Sequence, residues 1–290
     1  MHNGTGWELP FDQPAKLELR TEFGNLALLP VEPGQSPHLE LTRGTSDTVD
    51  VRIDKSDGVV RVELQRAEPM SWFGNWECRA VVYVPRDVRA ALQTNAGSIS
   101  VRSLEGCELG IKASAGKIDL VDVYGLMHLS ADAGSITGRG LGGYFDVEAQ
   151  AGSVRLEILD LQPGEHRFRA TMGSVRLEIG RGMDLCIETH TALGSVRNNY
   201  PVRADAPTRL VLSTEMGSVR VDEASQQRAT PRRRSDGDFS SRSETSRSET
   251  ARSDAAPRED PELERILKMV EAGELSAKDA DELLRAMGRV

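Results

Sequence analysis

Four arginines stand three residues after a glycine: Arg155, Arg176, Arg197 and Arg220, followed two positions later by Glu157, Glu178, Asn199 and Asp222. A guanidinium is always charged and presents a planar fork of donors. Four of them at strand spacing could grip a polyanion, a cell-wall polymer or a phosphate-rich surface. The neighbouring acids cancel much of that field, and exposed pairs of this kind contribute below about 1 kcal/mol. A solvated ion-pair face is therefore the favoured reading, and a polyanion strip is the alternative.

Catalytic chemistry needs acids, bases or metal ligands that converge. His128 and His190 are read as outward-facing and three repeat units apart, about 14 Å at strand spacing. His166 falls in an inward column, where a buried, hydrogen-bonded ring or a local bulge is a better reading than a base. Asp119, Asp132, Asp146 and Asp160 occupy different columns of the repeat, and aromatics for stacking on sugars make up only 4% of the chain. No catalytic, cofactor or metal residues are assigned, and no enzymatic activity is expected. Cys78, Cys107 and Cys186 are odd in number and lack metal-ligand spacing, which suits reduced thiols in the cytosol.

What positions these residues is an eight-fold repeat, plainest in LELRTEFGNLAL and LVLSTEMGSVRV. Its glycines are Gly24, Gly97, Gly116, Gly134, Gly152, Gly173, Gly194 and Gly217, the last seven spaced by 19, 18, 18, 21, 21 and 23 residues. Two residues on come Leu26, Ile99, Ile118, Ile136, Val154, Val175, Val196 and Val219; the columns at four after and five before the glycine are also largely aliphatic. The unit is read as one alternation with period two, all three columns facing a common core. Each glycine marks a corner, and the serine that usually follows it would stack into a hydroxyl ladder. Periods near twenty predict a single-stranded parallel β-solenoid whose seven consecutive turns would extend about 30 Å; its right-handed winding is expected by analogy with known solenoids and is not read from the repeat.

Residues 1–90 are read as N-terminal strands and a cap, 91–223 as the regular repeats, 224–259 as a linker and 260–290 as a helical hairpin. Within the cap, DTVDVRIDKSDGVVRVELQR predicts a β-hairpin turning at Asp57-Gly58 and covering the first repeat. Trp72, Phe73 and Trp76 are read as closing that end, with an exposed partner-gripping loop as the alternative. From Ala224 to Glu259 there is no Val, Ile, Leu or Met, so nothing offsets the entropy of ordering. Its SRSETSRSET run is read as a passive spacer, phosphorylation being the alternative.

In the last segment Pro261 opens a helix striped by Leu263, Ile266, Leu267 and Val270, which Gly273 ends; Ser276 caps a second, striped by Leu283, Leu284 and Met287. Thirty residues rarely stabilise themselves, so this hairpin is expected to dock on its own rod, a sister chain or another protein.

The recurring Gly-Ser-(Ile/Val) turns, introduced by VVYVPRDV, resemble the bacterial putative-adhesin family of β-strand repeats of unknown function, over roughly residues 14–222. RILKMVEAGELSAKDADELLRAM is similar to the SHOCT-like helical modules joined to such repeats in LiaX/YvlB-like architectures. The resemblance implies a role in the envelope-stress response and in oligomerisation, and brings no catalytic residues.

A net charge of −9 argues against bulk attraction to nucleic acid or anionic lipid, and no stretch approaches the apolar length of a membrane span. The first residues, MHNGTGWELPFDQ, lack the basic region and apolar run of a secretory signal. The expectation is a cytoplasmic, non-enzymatic scaffold, attached to the envelope, if at all, through a partner. It would bind a protein partner or itself through the hairpin or the solenoid ends, the edge after Val221 being the open one. An adhesin or sensor that binds a polyanionic ligand, and a polymerising element in the manner of bactofilins, are the alternatives.

Overall fold

Alternating apolar residues must bury one face, and in this chain they do so by stacking strand upon strand. The structure, a computed structural model, describes residues 5–43, 49–67 and 78–224. Its elements are β1 (Thr5–Glu8), β2 (Lys16–Pro30), β3 (His38–Arg43), β4 (Val49–Ser56), β5 (Val59–Arg66), β6 (Arg79–Val84), β7 (Arg89–Arg102), β8 (Glu105–Val121), β9 (Tyr124–Leu161), β10 (Gly164–Ile179), β11 (Leu185–Asn198) and β12 (Thr208–Glu223). All belong to one unclosed sheet, and no helix occurs among the described residues. Trp72, Phe73, Trp76, the linker from residue 225 and the predicted hairpin at 260–290 lie outside them.

From β2 to β12 the ladder is parallel and the repeat is in register. Gly24 pairs with Gly97, Gly97 with Gly116 and Gly116 with Gly134; Gly152 pairs with Gly173, Gly173 with Gly217 and Gly217 with Gly194. The strand β9 holds two repeats, Gly134 and Gly152, and a Cβ added to Gly152 would lie 1.6 Å from the Gly134 carbonyl oxygen. Gly116, at φ +141°, would likewise drive a Cβ to 1.6 Å from the Gly97 oxygen. Only glycine lets neighbouring backbones approach this closely in that conformation.

The single alternation expected from sequence is corrected at this corner. Columns five before and two after the glycine are seven apart, so one unbroken period of two cannot turn both inward. The structure resolves this as two alternations out of phase, with inward positions at seven, five and three before the glycine and at two and four after it. Around Gly116 these are Leu109, Ile111 and Ala113, then Ile118 and Leu120, all at most 1% exposed. The phase changes just before the glycine, where the ladder skips a pair between Ala113 and Ala115.

The N-terminal segment covers the first repeat as expected. One half of β2 pairs with β5 and the other with β6. Asp57 and Gly58, at φ 54° and 73°, form the two-residue loop between antiparallel β4 and β5, both in the left-handed region that a type I′ hairpin needs.

At the other end the order departs from the sequence. The path ends β10-β12-β11, so β12 is inserted between its two predecessors. Both strands carry the same corner and would fit beside β10. Their inward residues decide the order. Those of β12 are Leu210, Leu212, Thr214, Val219 and Val221, all 5% exposed or less. Those of β11 are Ile187, Thr189, Thr191, Val196 and Asn198, which lose less by facing water. Tyr200 holds the arrangement: its buried hydroxyl donates to the Gly180 carbonyl (2.8 Å) and accepts from the Met183 N–H (3.0 Å). Among the described strands the open edge is thus that of β11, not the one after Val221, and Val196, Thr189 and Asn198 leave the buried columns.

Candidate functional site

On the second run of each repeat, the residues one, three and five after the glycine point outward. Strand pairing places Arg155, Arg176, Arg220 and Arg197 side by side in that order, with Ser153, Ser174, Ser218 and Ser195 beside them. The outer file reads Glu157, Glu178 and Asp222, with Asn199 following β11. Four cations therefore face three acids.

The charges are not evenly matched along the file. Arg220 donates to Asp222 at 2.5 Å, and Asn199 Nδ2 donates to the same carboxylate at 2.6 Å. The arginine's bond first, then that of Asn199, holds Asp222 below the usual carboxylate range, and the bond to Asp222 raises Arg220. Arg197 donates to Asn199 Oδ1 at 3.4 Å, within the end of β11, and it is the Asn199 bond to Asp222 that links this end to β12. Arg155 and Arg176 make no ion pair within 4 Å among the described residues. On the preceding repeats the same file changes sign: Thr137 donates to Asp119 Oδ1 at 2.7 Å, with Lys117 Nζ at 3.2 Å. Partial burial raises the Asp119 pKa, but the Thr137 and Lys117 bonds outweigh it and leave it lowered. A polyanion strip could occupy four strands and no more. In the serine column, the described hydrogen bond is Ser98 Oγ to Asn25 Oδ1, 2.6 Å.

The histidines do not meet. His128 faces outward, its Nδ1 3.6 Å from Asp146 on the next repeat, and His190 is exposed on β11. With β12 inserted they are four strand steps apart, one more than read from sequence. His166 is fully buried: it accepts from the Phe145 N–H at Nδ1 (3.2 Å), and its Nε2 lies 2.8 Å from the Gln162 carbonyl. A donor at one nitrogen and an acceptor at the other define a neutral ring protonated at Nε2, and burial lowers its pKa. It is a satisfied core histidine. Asp160 accepts from the Tyr124 hydroxyl at 2.9 Å, far from Asp119 in the repeat. No group of three or more His, Cys, Asp or Glu able to hold a metal occurs among the described residues.

All three cysteines are free. Burial raises the Cys78 thiol, and pushes Cys107 up to about 12 against a small opposing backbone hydrogen bond. A shallow cleft of about 260 Å³ opens beside Arg20, Glu22, Glu63, Gln93 and Asn95 on the first repeats. The hairpin stripe Leu263, Ile266, Leu267, Val270, Leu283, Leu284 and Met287 lies outside the described residues.

One feature was missed in the sequence although its signal was present. The residue before the glycine is alanine in four repeats, Ala96, Ala115, Ala133 and Ala151, then becomes Met172, Leu193 and Met216. Met172, Met216 and Leu193 are neighbours across three strands and are 49%, 48% and 65% exposed. Only the pairing reveals that this ridge runs to the open edge.

Against known proteins, a family model described as a SHOCT-like domain matches residues 261–289. No curated protein matches the chain. Among solved structures, it is similar to a putative cell adhesion protein from Clostridium sporogenes, at 9% identity, covering 76% of this chain and 99% of that one, with a TM-score of 0.34. A putative adhesin from Parabacteroides merdae is 15% identical over 76% of this chain and 95% of that one, with a TM-score of 0.36. One from Bacteroides fragilis is 10% identical over 75% and 95%, with a TM-score of 0.32.

Proposed function

We propose that this chain is a non-enzymatic scaffold: a stiff platform, wound as a right-handed parallel β-solenoid, that carries a tethered helical module for self-association or partner recruitment. The observation that carries this reading is a conjunction within one chain. A long parallel ladder with a buried, largely aliphatic interior is followed by a segment that matches a SHOCT-like domain at residues 261–289. A sheet whose repeats bury their inward side chains on each other holds its outward faces at fixed spacing, which suits presentation and not turnover. A thirty-residue module needs an apolar surface to complete it, and its stripe supplies one half of such a contact. The setting we infer is cytoplasmic, at the envelope through a partner, in the response to envelope stress.

The test is made on the full chain. Ile266→Asp with Leu283→Asp should lower the assembly mass measured by light scattering, or abolish capture of the partner, while the melting of the sheet stays unchanged. An unaltered mass and partner set would sink the scaffold reading.

A second reading is favoured by one observation: Arg155 and Arg176, which make no ion pair within 4 Å among the described residues, stand in a file with Arg220 and Arg197. Here the outward strip binds a polyanionic envelope ligand. Arg176→Glu with Arg197→Glu should then weaken binding to polyphosphate at least tenfold and flatten its salt dependence, with the fold intact. Equal affinity in both proteins would dispose of the strip.

A further inference from the structure

The large hydrophobic side chains exposed among the described residues are Met172, Leu193, Val196, Val202 and Met216, and all lie on β10, β11, β12 or the connection between the last two. Scattered exposed hydrophobes need no explanation, but a group gathered at one end of a sheet beside an unpaired edge marks an interface. Val196 belongs to the inward column, yet it is 42% exposed because no described strand lies beyond β11.

The two ends are built differently. At the first, β5 and β6 cover β2, and Cys78 fills the corner: its carbonyl oxygen and Cβ lie 2.5 and 2.8 Å from where a Gly24 Cβ would sit. The outer strands there are blunted, β1 by its four residues and β4 by Asp50, Arg52, Asp54 and Lys55. By contrast, β11 offers fourteen residues without lysine or proline. Its charged side chains are one acid and one base: Glu188, paired with Arg209, and Arg197, bonded to Asn199. An end with balanced charge and with Ile187, Thr189, Thr191 and Val196 on its inner face meets no repulsion from a copy of itself.

We propose that the β11 end docks on the β11 end of a second copy of this chain about a twofold axis. The two edge strands then run antiparallel, satisfy each other's backbone groups and cover Val196 and Leu193. Head-to-tail growth is excluded by the closed first end, so the contact is isologous and stops at two chains. The proposal deepens the scaffold reading by naming a partner and a surface separate from the helical module.

Sedimentation of the full chain across a concentration series tests it. The wild type should show a dimer whose dissociation constant rises at least tenfold in Val196→Lys and in Thr189→Lys, each placing a charge on the inner face of the edge. Circular dichroism and melting should match the wild type, since neither side chain is buried in the single chain. A wild type that is monomeric at all concentrations overturns the proposal. So does a dimer that survives both lysines, and if such a dimer dissociates with Ile266→Asp and Leu283→Asp, the scaffold reading stands while this interface falls.

Discussion

Gly194 stacks on Gly217, not on Gly173, its predecessor in the repeat. The same corner geometry would fit either neighbour. What separates them is the cost of leaving each strand's inner face in water, and the strand with Thr189, Thr191 and Asn198 is the cheaper one to expose.

The inverted order is open to a direct test with equivalent valines. Val219 is 1% exposed and Val196 is 42% exposed. Replacing Val219 by threonine buries a hydroxyl without a designed partner and should cost about 1–3 kcal/mol. Val196→Thr should stay within about 0.5 kcal/mol. Urea unfolding at low protein concentration measures both, and the reverse ranking would place β11 inside.

A methyl group at the corner should be among the most damaging single changes. Gly116→Ala puts a Cβ against backbone, 1.6 Å from the Gly97 oxygen, at φ +141°. The flanking strands cannot yield without breaking their ladder, so a loss of about 3 kcal/mol or more is expected. Gly110→Ala, which meets nothing within 4 Å, is the control and should be nearly silent. Equal melting temperatures for the two variants would contradict the stacked corner.

Acid should weaken the fold through His166. Burial lowers its pKa in the folded chain, while the unfolded chain keeps a value near 6.5. Below that pH the unfolded state binds a proton the folded state refuses, so stability falls as pH drops from 6.5 toward the lowered folded value. The slope for one proton is at most about 1.4 kcal/mol per pH unit. His166→Met, which copies Met127 of the same column, removes this linkage but leaves the Phe145 N–H unpaired. The variant should therefore be less stable at pH 8, with the gap to wild type narrowing by pH 5 in paired denaturation curves.

Much of this was legible from residue types alone, because a parallel in-register ladder forces like residues into files. The glycine column, the aliphatic column two residues on, the Asp57-Gly58 hairpin and the buried, bonded state of His166 all follow from local periodicity and turn chemistry. The arginines could be assigned to an outward file for the same reason. Their order could not, since any two repeats with the same corner are interchangeable locally.

The amino-acid sequence by itself determined a β-strand repeat region and which side of each strand is apolar, since alternation and glycine spacing are short-range properties of the backbone. Only the tertiary structure decided how the alternation shifts phase at the corner, that β12 displaces β11 to the edge, and that Met172, Met216 and Leu193 make one ridge beside it. Those outcomes depend on burial summed over strands far apart in the chain, a comparison that no single repeat contains.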